Sequence, residues 1–400
     1  MTLWAGRVGT PLAPEVWDFL RAQDDELLPY DVEGTLLHAQ RLHAAGLLAS
    51  DELSDVEARL TSIGIDDLDA SDEDVHSAIE RLLGDVGRKI HAGRSRNDQV
   101  ATAFRLYVGD ACREADVALR GFVDAVLDRA DAEAGTAMPG YTHLQRAIPI
   151  TVGHHLLAWV EMLERDRARF AFAAGQARPS PLGAGALAGS TLPLPPPPEP
   201  MRNSVDAVSD RDFALDYLYA AAVLFTHLSR IGEEIVLWTT SEFGFARLPE
   251  DAATGSSMMP QKLNPDVAEL ARGKAGTAIG RLTGLLATVK GLPLAYDRDL
   301  QEDKPLVFAA RRDVKGALDA LAVLVRGLRF DHARMAEACA DPLLRATDAA
   351  EALVRDGVPF RDAHEHVAAQ VRAGTFEAPA GSRQPGDVAA AVRAARERWS

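Results

Sequence analysis

Apolar residues recur at steps of three and four along several long stretches of the chain, which is the spacing of one face of an α-helix. The clearest stretch predicts a helix over residues 98–134. Its apolar positions are Val100, Phe104, Tyr107, Ala111, Ala115, Ala118, Phe122 and Val126. At about 1.5 Å of rise per residue, this helix would extend roughly 55 Å. A helix of that length is typical of a bundle of long helices.

Further stretches share this period and predict helices over residues 150–176, 210–243, 265–289 and 304–328, with a last amphipathic helix over residues 388–398. No comparable stretch alternates with period two, so the sequence predicts an all-α fold. The helix over residues 265–289 contains several glycines, which we interpret as sites of close packing between helices. These glycines are Gly273, Gly276, Gly280 and Gly284.

Breaks in the helical pattern suggest how the chain is organised. Residues 193–200 are rich in proline and predict an extended loop, and residues 374–387 are also typical of a loop. We therefore predict three domains. They are an N-terminal helical domain (residues 1–93), a central domain of long helices (residues 94–337) and a short C-terminal helical domain (residues 338–400).

Charge and cysteine content exclude several classes of protein. The 400-residue chain has a net charge of −16 and lacks a basic stripe, which argues against nucleic-acid binding. Its two cysteines, Cys112 and Cys339, are far apart and form no CxxC pattern, so a disulfide framework is not expected. Residues 1–7 lack the apolar core of a signal peptide, and no run is long enough to cross a bilayer. We expect a cytoplasmic protein.

Residues 254–266 carry the strongest indication of chemistry. Gly255 and two serines predict a flexible stretch, after which Asn264 suits a helix N-cap and Pro265 suits the first helical position. A helix N-terminus attracts anions, and Lys262 lies two residues before the predicted cap. The pattern therefore predicts a site for a carboxylate. The alternative is a capped helix that follows a Gly/Ser linker and a lysine that faces solvent.

This segment resembles the signature GSSxMPxKxN of the fumarase/aspartase superfamily. Within that superfamily, Gln261 before the lysine is similar to argininosuccinate lyases, whereas fumarases carry Gly there and adenylosuccinate lyases His. Other segments resemble the same branch: residues 93–99 (GRSRNDQ), 140–146 (GYTHLQR), 209–213 (SDRDF), 296–304 (YDRDLQEDK) and 73–76 (EDVH). The resemblance extends from Trp4 to about residue 370.

The resemblance implies a cofactor-free β-elimination that splits argininosuccinate into arginine and fumarate, as in arginine biosynthesis. It assigns Ser256 as the base, which needs Lys262 and loop N–H groups to favour its alkoxide. His143 would assist protonation of the departing nitrogen, and Glu269 would orient this histidine. The family also builds each site from three chains of a homotetramer.

Eight further residues are expected to bind substrate by this resemblance: Ser95, Arg96, Asn97, Thr142, Asn264, Tyr296, Gln301 and Lys304. Two of them have a structural alternative, since Ser95 or Asn97 could cap the long helix. Outside this set, residues 209–212 match a capping box, so that motif could also be purely structural. No metal site is expected, because the histidine pairs at 154–155 and 364/366 lack further ligands.

Several positions depart from the family pattern. Leu20 stands where relatives have a substrate-contacting serine, and the proline-rich loop replaces a longer segment. Further differences are Ala92, Ile148, Leu263 and Asp297. Two alternatives therefore stay open beside the leading hypothesis. One is a sister lyase that releases fumarate from another N-succinyl compound, and the other is a non-catalytic relative that resembles lens crystallins.

Overall fold

The prediction of an all-α fold is confirmed by the computed structural model, which describes Thr10 and residues 12–380 and 386–400. Trp4 and residues 381–385 of the predicted C-terminal loop lie outside the described residues. The α-helices are α1 (Pro14–Leu20), α2 (Leu28–Ala44), α3 (Ser50–Ser62), α4 (Val75–Leu83), α5 (Gly87–Ile90), α6 (Arg96–Ala132), α7 (Val152–Ala177), α8 (Ser204–Ser209), α9 (Asp212–Thr239), α10 (Asp266–Val289), α11 (Asp303–Gly327), α12 (His332–Cys339), α13 (Ala346–Arg355), α14 (Phe360–Ala373) and α15 (Val388–Trp399). Short 3₁₀ helices lie at Asp25–Leu27, Ile65–Asp67, Glu250–Ala252, Arg298–Glu302 and Pro342–Arg345.

The predicted long helices agree with α6, α7, α9, α10 and α11 to within a few residues at each end. In α6, all eight of the apolar positions named above are buried. The glycines of helix α10 do not all lie at the close contacts between helices that the sequence predicts for them. An added Cβ at Gly284 would touch the side chain of Leu306, whereas at Gly273, Gly276 and Gly280 it would meet no described atom within 4 Å. Three of the four glycines are therefore not in close packing within this chain.

A β-hairpin was not predicted. Strands β1 (Ala137–Thr142) and β2 (Gln145–Thr151) pair antiparallel, with Ala137 opposite Thr151 and Thr142 opposite Gln145. The register shifts between Pro139 and Tyr141, so the side chains do not alternate regularly along the strand. Two shorter ladders join β3 (Ala246–Arg247) with β6 (Arg329–Phe330) and β4 (Thr254–Gly255) with β5 (Leu263–Asn264).

The chain divides into two compact units. Unit 1 comprises residues 1–117, 166–224 and 276–315, and unit 2 comprises residues 118–165, 225–275 and 316–400. In unit 1, the buried rings of Phe104 and Phe213 meet edge to face, with their centroids 5.4 Å apart. In unit 2, the buried rings of Trp159 and Trp238 stack at 5.5 Å. The predicted domain boundaries at residues 93 and 337 stay predictions.

The described part of the chain contains no helix that is both long enough and apolar enough to cross a membrane. Its long helices carry polar positions on one side, as expected for helices with one face against a core.

Candidate active site

A small cavity in unit 1 gathers many of the residues predicted to bind substrate. It has a volume of about 180 Å³ and lies where the start of α6, the start of α4 and the 3₁₀ turn before α11 come together. Its lining includes Arg96, Asn97, Tyr296, Gln301 and Lys304. Because these residues come from segments about 200 positions apart, the fold and not local sequence brings them together.

Carboxylates balance the cations of this cavity. Arg96 pairs with Asp74 through a short contact, and its guanidinium also lies 3.6 Å from Glu73. Arg298 donates to the other oxygen of Glu73 at 3.0 Å. Lys304 is buried and pairs with Asp303 at 2.8 Å. The cavity can therefore offer hydrogen-bond donors to a carboxylate and acceptors to a cationic group.

Two buried titratable side chains, Asp24 and His76, also line the cavity, and the buried carboxylate of Asp31 lies next to His76. His76 Nδ1 lies 2.8 Å from Asp31, and its Nε2 lies 4.0 Å from Asp24. Burial raises the pKa of Asp24 to about 6, although the positive charge of His76 opposes this rise. Burial alone would lower the pKa of His76, but the carboxylate of Asp31 raises it above its usual value. Sequence analysis singled out His76 within a motif, but missed Asp24 and Asp31.

Leu20, one of the expected departures from the family pattern, contacts the 3₁₀ turn before α11 through its backbone. The backbone carbonyl of Leu20 accepts hydrogen bonds from Arg298 at 2.8 Å and from Gln301 at 3.2 Å. Gln301 also donates to the carbonyl of Arg21 at 3.4 Å. The predicted substrate-binding amide of Gln301 is thus held by the N-terminal segment through backbone atoms.

Ser95 caps the long helix, as one alternative held. Its hydroxyl oxygen accepts the N–H of Asn97 at 3.3 Å, and the carboxylate of Asp98 accepts the N–H of Ser95 at 2.9 Å. Ser95 therefore caps the second residue of α6, and Asp98, the third residue, binds the N–H of the cap in return. This arrangement points the N-terminus of α6, with Arg96 and Asn97, at the cavity.

The predicted proline-rich loop, residues 193–200, contacts α2 and the residue that begins the 93–99 motif. Arg41 donates to the carbonyl of Pro195 at 2.7 Å. Gly93 has φ +72°, and a Cβ there would come within 2.6 Å of the side chain of Leu194. Glycine is therefore favoured at the first position of residues 93–99 by its backbone angle, and a larger residue would also have to displace the end of the Leu194 side chain.

The capping box predicted at residues 209–212 is wrong in detail. Ser209 ends α8, and its hydroxyl donates to the carbonyl of Asp206. The side chain that accepts an N–H at the start of α9 is Asp210, which bonds Asp212 at 2.9 Å and also pairs with Arg105. The chain turns between two helices here, so the aspartate next to the second helix takes the capping role.

In unit 2, the segment with the signature motif forms a loop between β4 and β5. Ser256 is partly exposed, and its Oγ accepts the backbone N–H groups of Met258 at 3.3 Å and Met259 at 3.1 Å. Lys262 is exposed, and within the described residues its ammonium group forms no ion pair. The predicted loop N–H donors to Ser256 are therefore in place.

The predicted N-cap at Asn264 is wrong. Asn264 lies in β5, and its side-chain amide donates to Thr254 Oγ1 at 3.4 Å and to the carbonyl of Gly255 at 3.5 Å. Helix α10 starts at Asp266, after Pro265. The two-residue ladder between β4 and β5 takes Asn264 out of reach of the first helical N–H groups and makes its amide close the base of the loop.

His143 occupies the tip of the β1–β2 hairpin. His143 and Leu144 are the two turn residues, with φ values of +56° and +55°. This left-handed pair matches a type I′ turn, for which leucine is an unusual residue. Leu144 is 67% exposed, and Thr142 and His143 are exposed as well. Strained backbone of this kind is concentrated at functional sites.

The predicted partnership of His143 and Glu269 is not formed within this chain. Glu269 is exposed in the first turn of α10, and no hydrogen bond or ion pair joins it to His143 among the described residues. Likewise, no hydrogen bond joins Ser256 to His143 in the described part of unit 2. Ser256, His143 and Glu269 thus lie on three different elements of unit 2, and no hydrogen bond joins them within its described residues.

Other histidines have structural partners. His155 bonds Glu234 at 2.9 Å, and Trp159 donates to the same carboxylate oxygen at 2.7 Å. No group of three or more potential metal ligands occurs within residues 12–380 and 386–400 or at Thr10.

Comparison with known proteins relates this geometry to a family. A family profile described as lyase matches residues 32–280, and one described as argininosuccinate lyase C-terminal matches residues 343–378. Argininosuccinate lyase from Frankia casuarinae is 51% identical over 387 residues, which cover 92% of this chain and 83% of that protein. Argininosuccinate lyase from Synechococcus sp. is 47% identical over 393 residues, covering 92% and 80%.

Solved structures agree with this relation. A crystal structure of EDDS lyase in complex with formate superposes with a TM-score of 0.76 at 28% identity, and the match covers 96% of this chain and 84% of that one. A fumarate lyase from Mesorhizobium sp. has a TM-score of 0.74 at 18% identity, with 91% and 89% covered, and supports the fold alone.

Proposed function

The chain belongs to the argininosuccinate lyase family, and on this premise we propose that it splits argininosuccinate into arginine and fumarate by acid–base elimination. The observation that carries the proposal is the 51% identity with an argininosuccinate lyase over 92% of the chain. Retention of Ser256, Lys262 and His143 argues against a non-catalytic, crystallin-like role. In this role the protein serves arginine biosynthesis in the cytoplasm.

The difficult step is removal of a proton from the carbon beside a carboxylate. The resulting carbanion places a second negative charge on that carboxylate, so preorganised donors and cations contribute most to the rate. Ser256 is the proposed base. Its Oγ already accepts two backbone N–H groups, and such hydrogen bonds stabilise the charged form of an acceptor. Lys262, which is exposed and forms no ion pair with any described residue, is proposed to supply the positive charge beside this base.

His143 is the proposed acid that assists departure of the nitrogen, because an imidazole titrates near neutral pH. The hairpin turn carries it, with Thr142, away from the body of the strand pair. Glu269 is proposed to orient this histidine in the assembled enzyme. Since no hydrogen bond or ion pair joins the two side chains among the described residues, we propose that they come from different subunits.

The unit 1 cavity is the proposed binding site for the charged groups of the substrate. Arg96, Asn97 and Lys304 offer donors for carboxylates. The carboxylates of Glu73 and Asp74 suit the cationic end of an amino acid, since opposite charges in a partly buried site attract strongly. Tyr296 and Gln301 complete the proposed set at this cavity, and Thr142 and Asn264 are proposed substrate-binding residues of unit 2. Ser95 acts through the helix N-terminus that it caps.

A homotetramer would complete these sites. Helix α10 exposes Leu270, Ile279 and Leu286, and the Cβ positions of three of its glycines face open space. An exposed apolar helix that contains small residues is expected to be covered by other helices. We propose that His143 and Ser256 of different chains share a site in this assembly.

The experiment that tests the function is an assay of fumarate release by ultraviolet absorbance. Argininosuccinate, adenylosuccinate and a small panel of other N-succinyl amines are compared at equal concentration. Argininosuccinate should have the highest kcat/KM. Release from another N-succinyl compound but not from argininosuccinate would favour the sister-lyase alternative, for which Leu20 would then be a candidate determinant.

A further inference from the structure

Asp98 is a buried carboxylate that the proposed chemistry does not use. It lies in the first turn of α6, next to Asn97, and its side chain is fully shielded from solvent. Its Oδ1 accepts the N–H of Ser95 at 2.9 Å, and its Oδ2 accepts the N–H groups of Gly183 and Gly185, both at 2.9 Å. Two of its three donors thus come from a loop that is more than 80 residues away in sequence.

That loop has a backbone conformation that few residues adopt. Gly183 has φ +101° and Gly185 has φ +60°. An added Cβ at Gly185 would lie 2.8 Å from the carbonyl oxygen of Gly189, so this position has neither the angle nor the space for a side chain. The carboxylate of Asp98 is the group that holds these two amides in place.

The loop in turn bonds a proposed substrate-binding residue. The carbonyl of Ala186 accepts a hydrogen bond from Asn97 Nδ2 at 3.1 Å. A carbonyl can only accept, so the amide nitrogen and not the oxygen of Asn97 must face it. One N–H of the amide is then used by Ala186, and the same residue lines the cavity.

We propose that Asp98 is a positioning residue for substrate binding, which acts through the Gly183–Ala186 backbone to fix the orientation of the Asn97 amide. This inference rests on the proposed function in one respect, namely that Asn97 binds a carboxylate of the substrate. Asp98 itself does not touch the cavity. A helix cap needs an acceptor only for N–H groups of its own first turn, so capping does not explain the two bonds to the loop.

The main test is Asp98→Asn in the full-length enzyme. The substituted amide can accept through one oxygen only, so it loses hydrogen bonds either to Ser95 or to the two loop glycines. We expect KM for argininosuccinate to rise about tenfold and kcat to change less than about threefold, since loss of one or two hydrogen bonds affects binding by that order. An unchanged KM would overturn the inference.

A double-mutant cycle separates positioning from general damage. Fumarate, the product dianion, is titrated calorimetrically into wild type, Asp98→Asn, Asn97→Ala and the double variant. If Asp98 acts through Asn97, the double variant should bind fumarate no more weakly than Asn97→Ala alone. Multiplicative effects of the two substitutions on the fumarate Kd would contradict the inference.

Asp166→Asn is the matched control, because Asp166 is equally buried but lies in α7 outside the cavity. It should lower thermal stability without raising KM. If Asp98→Asn does not fold, Gly185→Ala tests the same connection from the loop side. It should raise KM when Asn97 is present and should have no further effect in the Asn97→Ala background. A Gly185→Ala variant with wild-type KM would argue against the loop as the connection.

Hydrogen exchange distinguishes failure of this inference from failure of the proposed function. The amides of Gly183 and Gly185 should exchange faster in Asp98→Asn than in wild type, whatever the substrate is. Absence of fumarate release by the wild-type enzyme would refute the function alone. Unchanged exchange at both glycines would refute the connection alone.

Discussion

Replacing Asp24 with asparagine should stabilise the folded protein at neutral pH. Asp24 is 2% exposed, and burial raises its pKa from 3.8 to about 6. A rise of that size corresponds to about 3 kcal/mol of free energy that disfavours the charged carboxylate in the folded state. Asparagine has nearly the same shape, and its oxygen can still accept the N–H of Val75, which lies 3.2 Å from Asp24 Oδ1.

The sign of the pH dependence follows from the direction of the pKa shift. A carboxyl group with a raised pKa binds its proton more tightly in the folded state. Its stabilising contribution is therefore complete below about pH 4 and is lost as the pH rises to about 6. Asp24→Asn should be more stable than wild type by up to about 3 kcal/mol at pH 7 to 8, and the difference should vanish below about pH 4. The pKa of about 6 already includes the attraction between Asp24 and the charge of His76.

Urea unfolding at fixed protein concentration, repeated between about pH 4 and pH 8, measures this difference. Asp72→Asn is the control with the opposite sign. Burial alone would raise the pKa of Asp72, but hydrogen bonds from Arg81 and from the amide of Asp69 lower it. Asp72→Asn should therefore destabilise the protein at neutral pH, and this loss should fade in acid. An Asp24→Asn variant that is less stable than wild type at pH 8, or whose difference from wild type does not depend on pH, would refute the reasoning.

Three further predictions concern the site and its support. Lys262→Met should lower kcat for fumarate release by at least about a hundredfold, because it removes the charge proposed to activate the base. The melting temperature should not change, because this lysine is exposed and unpaired among the described residues. A smaller loss of kcat would exclude Lys262 as the charge that activates the base. Gly153→Ala should destabilise the protein by about 1–3 kcal/mol, because its Cβ would lie 2.5 Å from the carbonyl oxygen of Ala130. Gly175→Ala, in the same helix, is the control. Its Cβ would have no described atom within 4 Å, so this substitution should be neutral or stabilising in thermal melts. Mixing inactive Ser256→Ala and His143→Ala chains by refolding should restore part of the activity if sites are shared between subunits, and no recovery in mixed tetramers would contradict shared sites.

The long helices could be predicted because their periodic apolar positions report burial directly. The eight apolar positions of α6 from Val100 to Val126 are all buried. The β1–β2 hairpin could not be predicted in this way, since Pro139 and the register shift beside it interrupt any alternation. Capping was predicted from local residue types, and it succeeded at Ser95 but not at Asn264, where a two-residue strand ladder competes for the side chain.

The candidate site was predicted in its residues but not in its surroundings. Family resemblance identified Arg96, Asn97 and Lys304, which the fold places around one cavity. The contacts of Asp24 with Val75 and of Asp98 with Gly183 join residues 51 and 85 positions apart, and no local pattern indicates them. Such contacts depend on tertiary packing, which residue spacing alone does not specify.

The role of Ser256 as the base is the claim on which the proposed chemistry depends most. The most direct measurement compares Ser256→Ala with wild type in kcat for fumarate release and in the Kd for fumarate. Because the hydroxyl oxygen is the proposed proton acceptor, kcat should fall by at least about a thousandfold while the Kd changes less than about threefold. A Ser256→Ala enzyme that binds fumarate normally and retains a tenth or more of the wild-type kcat would show that another group removes the proton.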